Sequence, residues 1–80
     1  MHLMIRNLPR DTTEDEVSAL CSHFGEVRTV ALQGQDHDAQ HCWGLVDFPL
    51  RREALRAATY LNNTLLRNCK LFVYAFLFFN

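Results

Sequence analysis

The middle of the sequence contains an eight-residue stretch, HCWGLVDF, that runs from His41 to Phe48 and is followed by Pro49. Its branched and aromatic residues favour a β-strand, and Pro49 would end that strand. Because side chains alternate between the two faces of a strand, Val46 and Phe48 are expected on one face and Trp43 on the other. The stretch therefore predicts a sheet with one packed face and one face that carries a tryptophan.

Three further strands are predicted, two before this stretch and one after it. Residues 2–6 and 27–32 are rich in apolar and branched side chains, and so are residues 70–75. Residues 33–40 are polar and contain one glycine, so they predict the loop that leads into the tryptophan strand. The chain therefore contains four predicted strands.

Two helices are predicted between these strands. Thr13 is a favourable N-cap residue, Glu16 stands three residues later as in a capping box, and Gly25 follows the last turn. A second helix is predicted from Arg51 to the asparagine pair at 62–63, which suits a left-handed turn. In both segments apolar residues recur at the i, i+3, i+4, i+7 spacing of one helix face.

The predicted order is strand, helix, strand, strand, helix, strand. This is the order of the ferredoxin-like α+β fold, βαββαβ, in which two helices pack on one face of a four-stranded antiparallel sheet. At 80 residues the chain is expected to form a single domain, residues 1–80. The other face of the sheet is left open, and the function is expected to depend on its side chains.

The composition limits the classes of partner and the expected location. Eight Lys and Arg stand against nine Asp and Glu, a formal net charge of −1. No stretch approaches the roughly 20 apolar residues of a membrane helix, so no membrane partner is expected. Three cysteines at wide spacing do not form a disulfide framework, and residues 1–6 lack the layout of a signal peptide. An intracellular location is expected, in the nucleus or the cytoplasm, with the nucleus preferred.

The sequence resembles the RNA-recognition-motif family at four places along residues 2–75. The family's hexamer motif corresponds to LMIRNL at 3–8, and its octamer motif to HCWGLVDF at 41–48. The helix signatures of the family correspond to residues 13–25 and 53–63. The resemblance implies that short single-stranded RNA binds to the open sheet face through bases stacked on aromatic side chains.

The resemblance is incomplete at the stacking positions. The family has three aromatic residues there, and this sequence retains one, Trp43. The other two positions hold Met4 and Leu45, and Phe72 and Tyr74 on the fourth strand are expected to compensate. Together with the neutral charge balance, this predicts RNA binding that is weaker and more salt-tolerant than in a basic relative.

Basic residues near the open face are expected to contact phosphate or base edges. Arg6, Arg28 and Lys70 are assigned this role, and His41 is assigned a weaker polar contact. No nucleophile and base converge at a readable spacing, so no enzyme activity, cofactor or metal is predicted. The predicted RNA-binding residues are Met4, Arg6, Arg28, His41, Trp43, Leu45, Lys70, Phe72 and Tyr74.

A different function remains open at this point. The apolar open face, or the aromatic tail at residues 76–80, would also suit a module for protein–protein interaction or dimerisation. Under the RNA hypothesis the expected role is in RNA processing or regulation. The sequence alone does not decide between these two functions.

Overall fold

Six strands and two helices follow one another in the part of the chain that the computed structural model describes, residues 1–35 and 40–77. Their bounds agree with the sequence prediction to within a few residues, apart from an additional short hairpin before the last strand. In chain order the elements are β1 (His2–Pro9), α1 (Glu14–Ser22), β2 (Thr29–Gln33), β3 (His41–Asp47), α2 (Arg51–Leu61), β4 (Leu65–Leu66), β5 (Cys69–Lys70) and β6 (Phe72–Phe76).

Four of the strands form one antiparallel sheet in the order β2-β3-β1-β6, with the tryptophan strand β3 and β1 at its centre. The strands β4 and β5 pair with each other in a separate two-stranded sheet. Helix α1 packs near β2, and helix α2 packs against β6 and β1. The predicted ferredoxin-like α+β fold is therefore confirmed.

The core lies between the two helices and one face of this sheet. Leu3 and Ile5 of β1 and Val46 of β3 are fully buried, as the alternation of the strands predicted. They belong to one cluster with Val17 of α1 and Ala54 of α2, and the small side chain of Ala54 allows close approach of helix and sheet. Burying each large aliphatic side chain contributes roughly 1.5–3 kcal/mol, so this cluster holds both helices on the same face.

Strand β1 contains a bulge that the sequence analysis did not predict. Ile5 pairs with Gly44 and Leu8 pairs with Cys42, so two residues of β1, Arg6 and Asn7, lie opposite one residue of β3. Asn7 takes up the extra residue in the left-handed conformation, with φ of 68°. Regular alternation would have pointed Leu8 to the open face, and the bulge instead buries it completely. Strand β1 therefore continues to Pro9 rather than ending at residue 6.

The prediction that the fourth strand begins at Lys70 is wrong. Lys70 pairs with Leu65 in the β4–β5 hairpin, and the fourth strand of the sheet starts at Phe72. The hairpin turns at Arg67 and Asn68, which have φ of 44° and 68°. Two successive residues with positive φ are typical of a type I′ turn, which most often uses glycine. No glycine marked this turn in the sequence.

Arg67 attaches the hairpin to the segment between β1 and α1. Its Nη2 donates to Asp11 Oδ1 at 3.1 Å and to the buried Thr12 Oγ1 at 3.2 Å. The same guanidinium forms two hydrogen bonds to the Glu16 carboxylate. The hydrogen bond from Arg67 is the main reason that the pKa of Glu16 lies below its usual value. The hairpin is thereby linked to the first turn of α1.

The start of helix α1 depends on the predicted cap. Thr13 is extended, and its Oγ1 accepts a hydrogen bond from the backbone N–H of Glu16 at 3.1 Å. We expect Thr13→Ala to lower the free energy of unfolding by about 1 kcal/mol, because one helix N–H loses its partner. Thr59→Ala is the matched control, since Thr59 lies inside α2 and its Oγ1 donates to Leu55 O within the same helix. Urea denaturation of both variants tests the prediction, and equal stabilities would contradict it.

The Arg67–Glu16 pair predicts a dependence of stability on pH. Because folding lowers the pKa of Glu16, its contribution is complete above the ordinary glutamate pKa of about 4.3 and is lost as the pH falls further. We expect Arg67→Met to lower the melting temperature at pH 7. We also expect its melting temperature to fall less steeply than that of the wild type as the pH is lowered. Arg56→Met, on the exposed face of α2, should leave the melting temperature within about 1 °C, as is usual for surface substitutions. If the melting temperatures of Arg67→Met and the wild type change in parallel with pH, the pair contributes nothing to the pH dependence of stability.

Candidate nucleic-acid interface

The open face of the sheet carries three rows of side chains that cross all four strands. Within each row, neighbouring residues pair in register or, at the β1 bulge, lie opposite each other. The first row is Gln33, Trp43, Arg6 and Phe72. The second row is Ala31, Leu45, Met4 and Tyr74. The third row is Thr29, Asp47, His2 and Phe76.

The first row borders the larger depression on this face. Trp43 is half-buried on β3, Phe72 is exposed on the edge strand β6, and Arg6 lies between them on β1. The depression has a volume of about 640 Å³, within the range of small-molecule sites. The residues that line it are Arg6, Asn7, His41, Cys42, Trp43 and Phe72.

The indole of Trp43 rests against Gly34, the residue that follows β2. Gly34 has φ of +81°, and a β-carbon added to it would lie 3.4 Å from both Cδ1 and Nε1 of Trp43. Glycine therefore provides both the left-handed turn and the room for the ring edge. This contact lies on the β2 side of the indole. On the β1 side, Trp43 and Arg6 together line two depressions of the open face.

The second row is mostly aliphatic. Met4 and Leu45 are half-buried on the central strands, and Tyr74 is 47% exposed on β6. Met4, Arg6 and Trp43 line a second depression of about 210 Å³ between the first two rows. All of these residues lie on the predicted face, so the alternation used in the sequence analysis is confirmed for them.

The third row is engaged in contacts of its own. The Asp47 carboxylate lies 3.5 Å from Arg28 Nη1 and 3.9 Å from His2 Nε2. The His2 ring stacks on Phe76 with 5.9 Å between centroids, and Phe76 is 6.0 Å from Tyr74. The charge on this row is therefore partly balanced within the sheet.

Two of the predicted cations do not join the first row. Arg28 precedes β2 beside Asp47, which is four residues along β3 from Trp43, about 13 Å at the rise of a strand. Lys70 lies in β5, and its backbone carbonyl accepts a hydrogen bond from Asn7 Nδ2 at 2.8 Å. By contrast, Arg6 and His41 both line the larger depression.

Three residues of this region were missed by the sequence analysis. Asn7 lines the larger depression, Gln33 pairs with Trp43 across β2 and β3, and Gly34 supports the indole. For Asn7 and Gly34 the signal is chemical, since asparagine and glycine tolerate positive φ, whereas Gln33 carries no such signal. Their positions depend on strand register, which the sequence alone did not define.

Burial raises the pKa of Cys21 to about 12, and burial followed by the charge of Asp11 raises that of Cys42, so neither thiol is a ready nucleophile at neutral pH. Residues 1–35 and 40–77 contain no group of three or more side chains that could hold a metal ion. Across the same ranges, neither helix has the length and apolar character needed to span a membrane.

Fold and surface together define a class of domain. An open antiparallel sheet offers an indole, a phenyl ring and a cation in one row, which suits flat aromatic ligands such as nucleobases. The sequence profile of the RNA recognition motif family matches residues 3–71, and the chain belongs to that family. The resemblance found in the sequence is thereby confirmed.

Solved structures of other RNA recognition motifs are similar over most of the chain. The third such domain of Pes4 is 24% identical with a TM-score of 0.87, and the alignment covers 99% of this chain and 94% of that one. The third domain of Mip6 is 26% identical with a TM-score of 0.85, covering 91% and 88%. A complex of the Sex-lethal protein with RNA is 27% identical with a TM-score of 0.82, covering 99% of this chain and 48% of that one.

Proposed function

We propose that this domain binds short single-stranded RNA on its open sheet face, with one base stacked on Trp43. The observation that carries the proposal is the depression of about 640 Å³ that Trp43, Arg6 and Phe72 border together. Proteins that bind single-stranded nucleic acids combine aromatic rings for stacking with nearby cations. Membership of the RNA recognition motif family and the similarity to the Sex-lethal protein–RNA complex support it.

A second base is proposed to lie toward β6 rather than on the central strands. Met4 and Leu45 hold the two central positions where the family has aromatic rings, so stacking there is reduced. Phe72 and Tyr74 are 46% and 47% exposed on the edge strand and offer two further rings. Each stacked base contributes roughly 1–3 kcal/mol, so a footprint of two or three nucleotides gives modest affinity.

Phosphate contacts are proposed to contribute little to the affinity. The net charge is −1, and Asp47 already balances Arg28 at a distance of 3.5 Å. Lys70 and Arg28 remain candidates for phosphate contacts at the rim, and His41 for a polar contact beside the first row. Because few cations are available, the affinity should fall only shallowly as salt increases.

The wider role is proposed to be that of a non-enzymatic RNA-binding module in RNA processing or regulation. The proposed location is inside the cell, with the nucleus favoured over the cytoplasm. The family membership supports a binding role. Imaging of a fluorescent fusion tests the location, and sequencing of RNA crosslinked to the protein in cells tests the role. An RNA set no different from that of a folded control domain would contradict the role.

A second candidate function is docking of a protein on the same face. It is favoured by the aliphatic second row, in which Met4 and Leu45 replace rings, and by Leu77, which is 46% exposed after β6. In the predicted aromatic tail, Phe76 is the last residue of β6, and residues 78–80 lie outside the described residues. Sedimentation velocity over a range of concentrations distinguishes self-association from a monomeric RNA-binding domain.

The stacking role of Trp43 predicts a clear loss on its removal. We expect Trp43→Ala to weaken binding of a fluorescein-labelled RNA octamer about tenfold or more, as measured by anisotropy, because one base loses its stacking partner. Tyr60→Ala is the matched control, since Tyr60 is 66% exposed on α2 and stacks only on Phe24 within the described residues. Circular dichroism establishes that both variants are folded. Equal affinities of Trp43→Ala and wild type would remove Trp43 from the site.

A further inference from the structure

We propose that Arg6 recognises the edge of the base stacked on Trp43 and selects guanine over adenine at that position. This inference rests on the proposed RNA binding and extends it to base selection. Within the proposed site, Arg6 is therefore assigned to the base rather than to the phosphate backbone.

Arg6 occupies the centre of the first row. It pairs with Phe72 on one side and lies opposite Trp43 on the other, so each ring is on a neighbouring strand about 4.8 Å away. It also lines both depressions of the open face, of about 640 and 210 Å³. Arg6 and Trp43 line both depressions, so a base that stacks on the indole within either of them has Arg6 at its edge.

The guanidinium of Arg6 is available for this contact. Among residues 1–35 and 40–77 it makes no hydrogen bond or ion pair, and its side chain is exposed. The other arginines near the sheet differ, because Arg28 faces Asp47 and Arg67 is bound to Asp11 and Glu16. The carboxylate of the open face, Asp47, lies two rows away from Arg6.

The β1 bulge fixes the backbone position from which the Arg6 side chain extends. The neighbouring Asn7 adopts φ of 68°, and its Nδ2 donates to Lys70 O at 2.8 Å. This bond connects the bulge to the β4–β5 hairpin, which Arg67 in turn holds against α1. The backbone beside Arg6 is thus anchored through Asn7, and a fixed backbone is a requirement for selective recognition.

The donor pattern of Arg6 favours guanine over adenine. A guanidinium has only N–H donors. Guanine presents two adjacent acceptors, O6 and N7, to which it binds in a bidentate manner. Adenine places the N6 amino donor beside N7, so the same approach leaves two donors facing each other. A good bidentate pair of this kind gives about tenfold discrimination or more.

The test measures the affinity of four RNA pentamers that differ only in the central base. They contain guanine, inosine, 7-deazaguanine or adenine between pairs of uridines, and each is titrated by fluorescence anisotropy. Inosine keeps O6 and N7, whereas 7-deazaguanine lacks N7. We expect guanine and inosine to bind about tenfold more tightly than adenine, and 7-deazaguanine to lose most of that advantage.

Substitution of Arg6 provides the second half of the test. An amide has one donor and one acceptor and pairs with adenine N6 and N7, so Arg6→Gln is expected to reverse the preference toward adenine. Arg10→Gln is the matched control, because Arg10 is exposed after β1 and lines neither depression. It should retain the preference for guanine.

Two outcomes would overturn the inference while leaving RNA binding intact. One is equal binding of the guanine and adenine pentamers by the wild type. The other is a variant Arg6→Gln that weakens all four pentamers alike and lowers the salt slope by about one, as expected for a phosphate contact. If the folded wild type binds none of the pentamers, the proposed function itself fails, and the inference fails with it.

Discussion

The β1 bulge at Arg6 and Asn7 allows one central strand to serve both the core and the open face. Before it, Leu3 and Ile5 point to the helices, and after it the alternation is reversed so that Leu8 is buried as well. Arg6 stays on the open face opposite Trp43, and Asn7 absorbs the extra residue with positive φ. The larger depression forms beside this bulge, so the candidate site and the burial of Leu8 have the same structural cause.

The open face divides into regions with different chemistry. The first row combines Trp43, Arg6 and Phe72 around a depression, whereas the third row balances the charge of Asp47 with Arg28 beside it. The mostly aliphatic second row lies between them and offers apolar surface with few polar groups that would orient a ligand. In a domain of net charge −1, the proposed RNA affinity would come from a few contacts in the first row rather than from a broad field of cations.

Local patterns in the sequence were sufficient for most of the fold. The helix cap at Thr13, the alternation around Trp43 and the order of the elements were predicted and are confirmed. Three features were not predictable in this way. The bulge has no periodic signal, the β4–β5 turn at 67–68 lacks glycine, and the Arg67–Glu16 contact joins residues 51 positions apart. The placement of Lys70 was wrong because the hairpin was not foreseen.

The central claim is that Trp43 lies in the RNA site, and it is tested most directly by the fluorescence of that residue. Trp43 is the single tryptophan of the sequence, so its emission reports on the open face alone. A titration with short mixed-sequence RNA, at low and moderate salt, should give saturable quenching that changes little with salt. A flat titration of the folded domain would contradict the account and would favour a protein-docking role for the sheet.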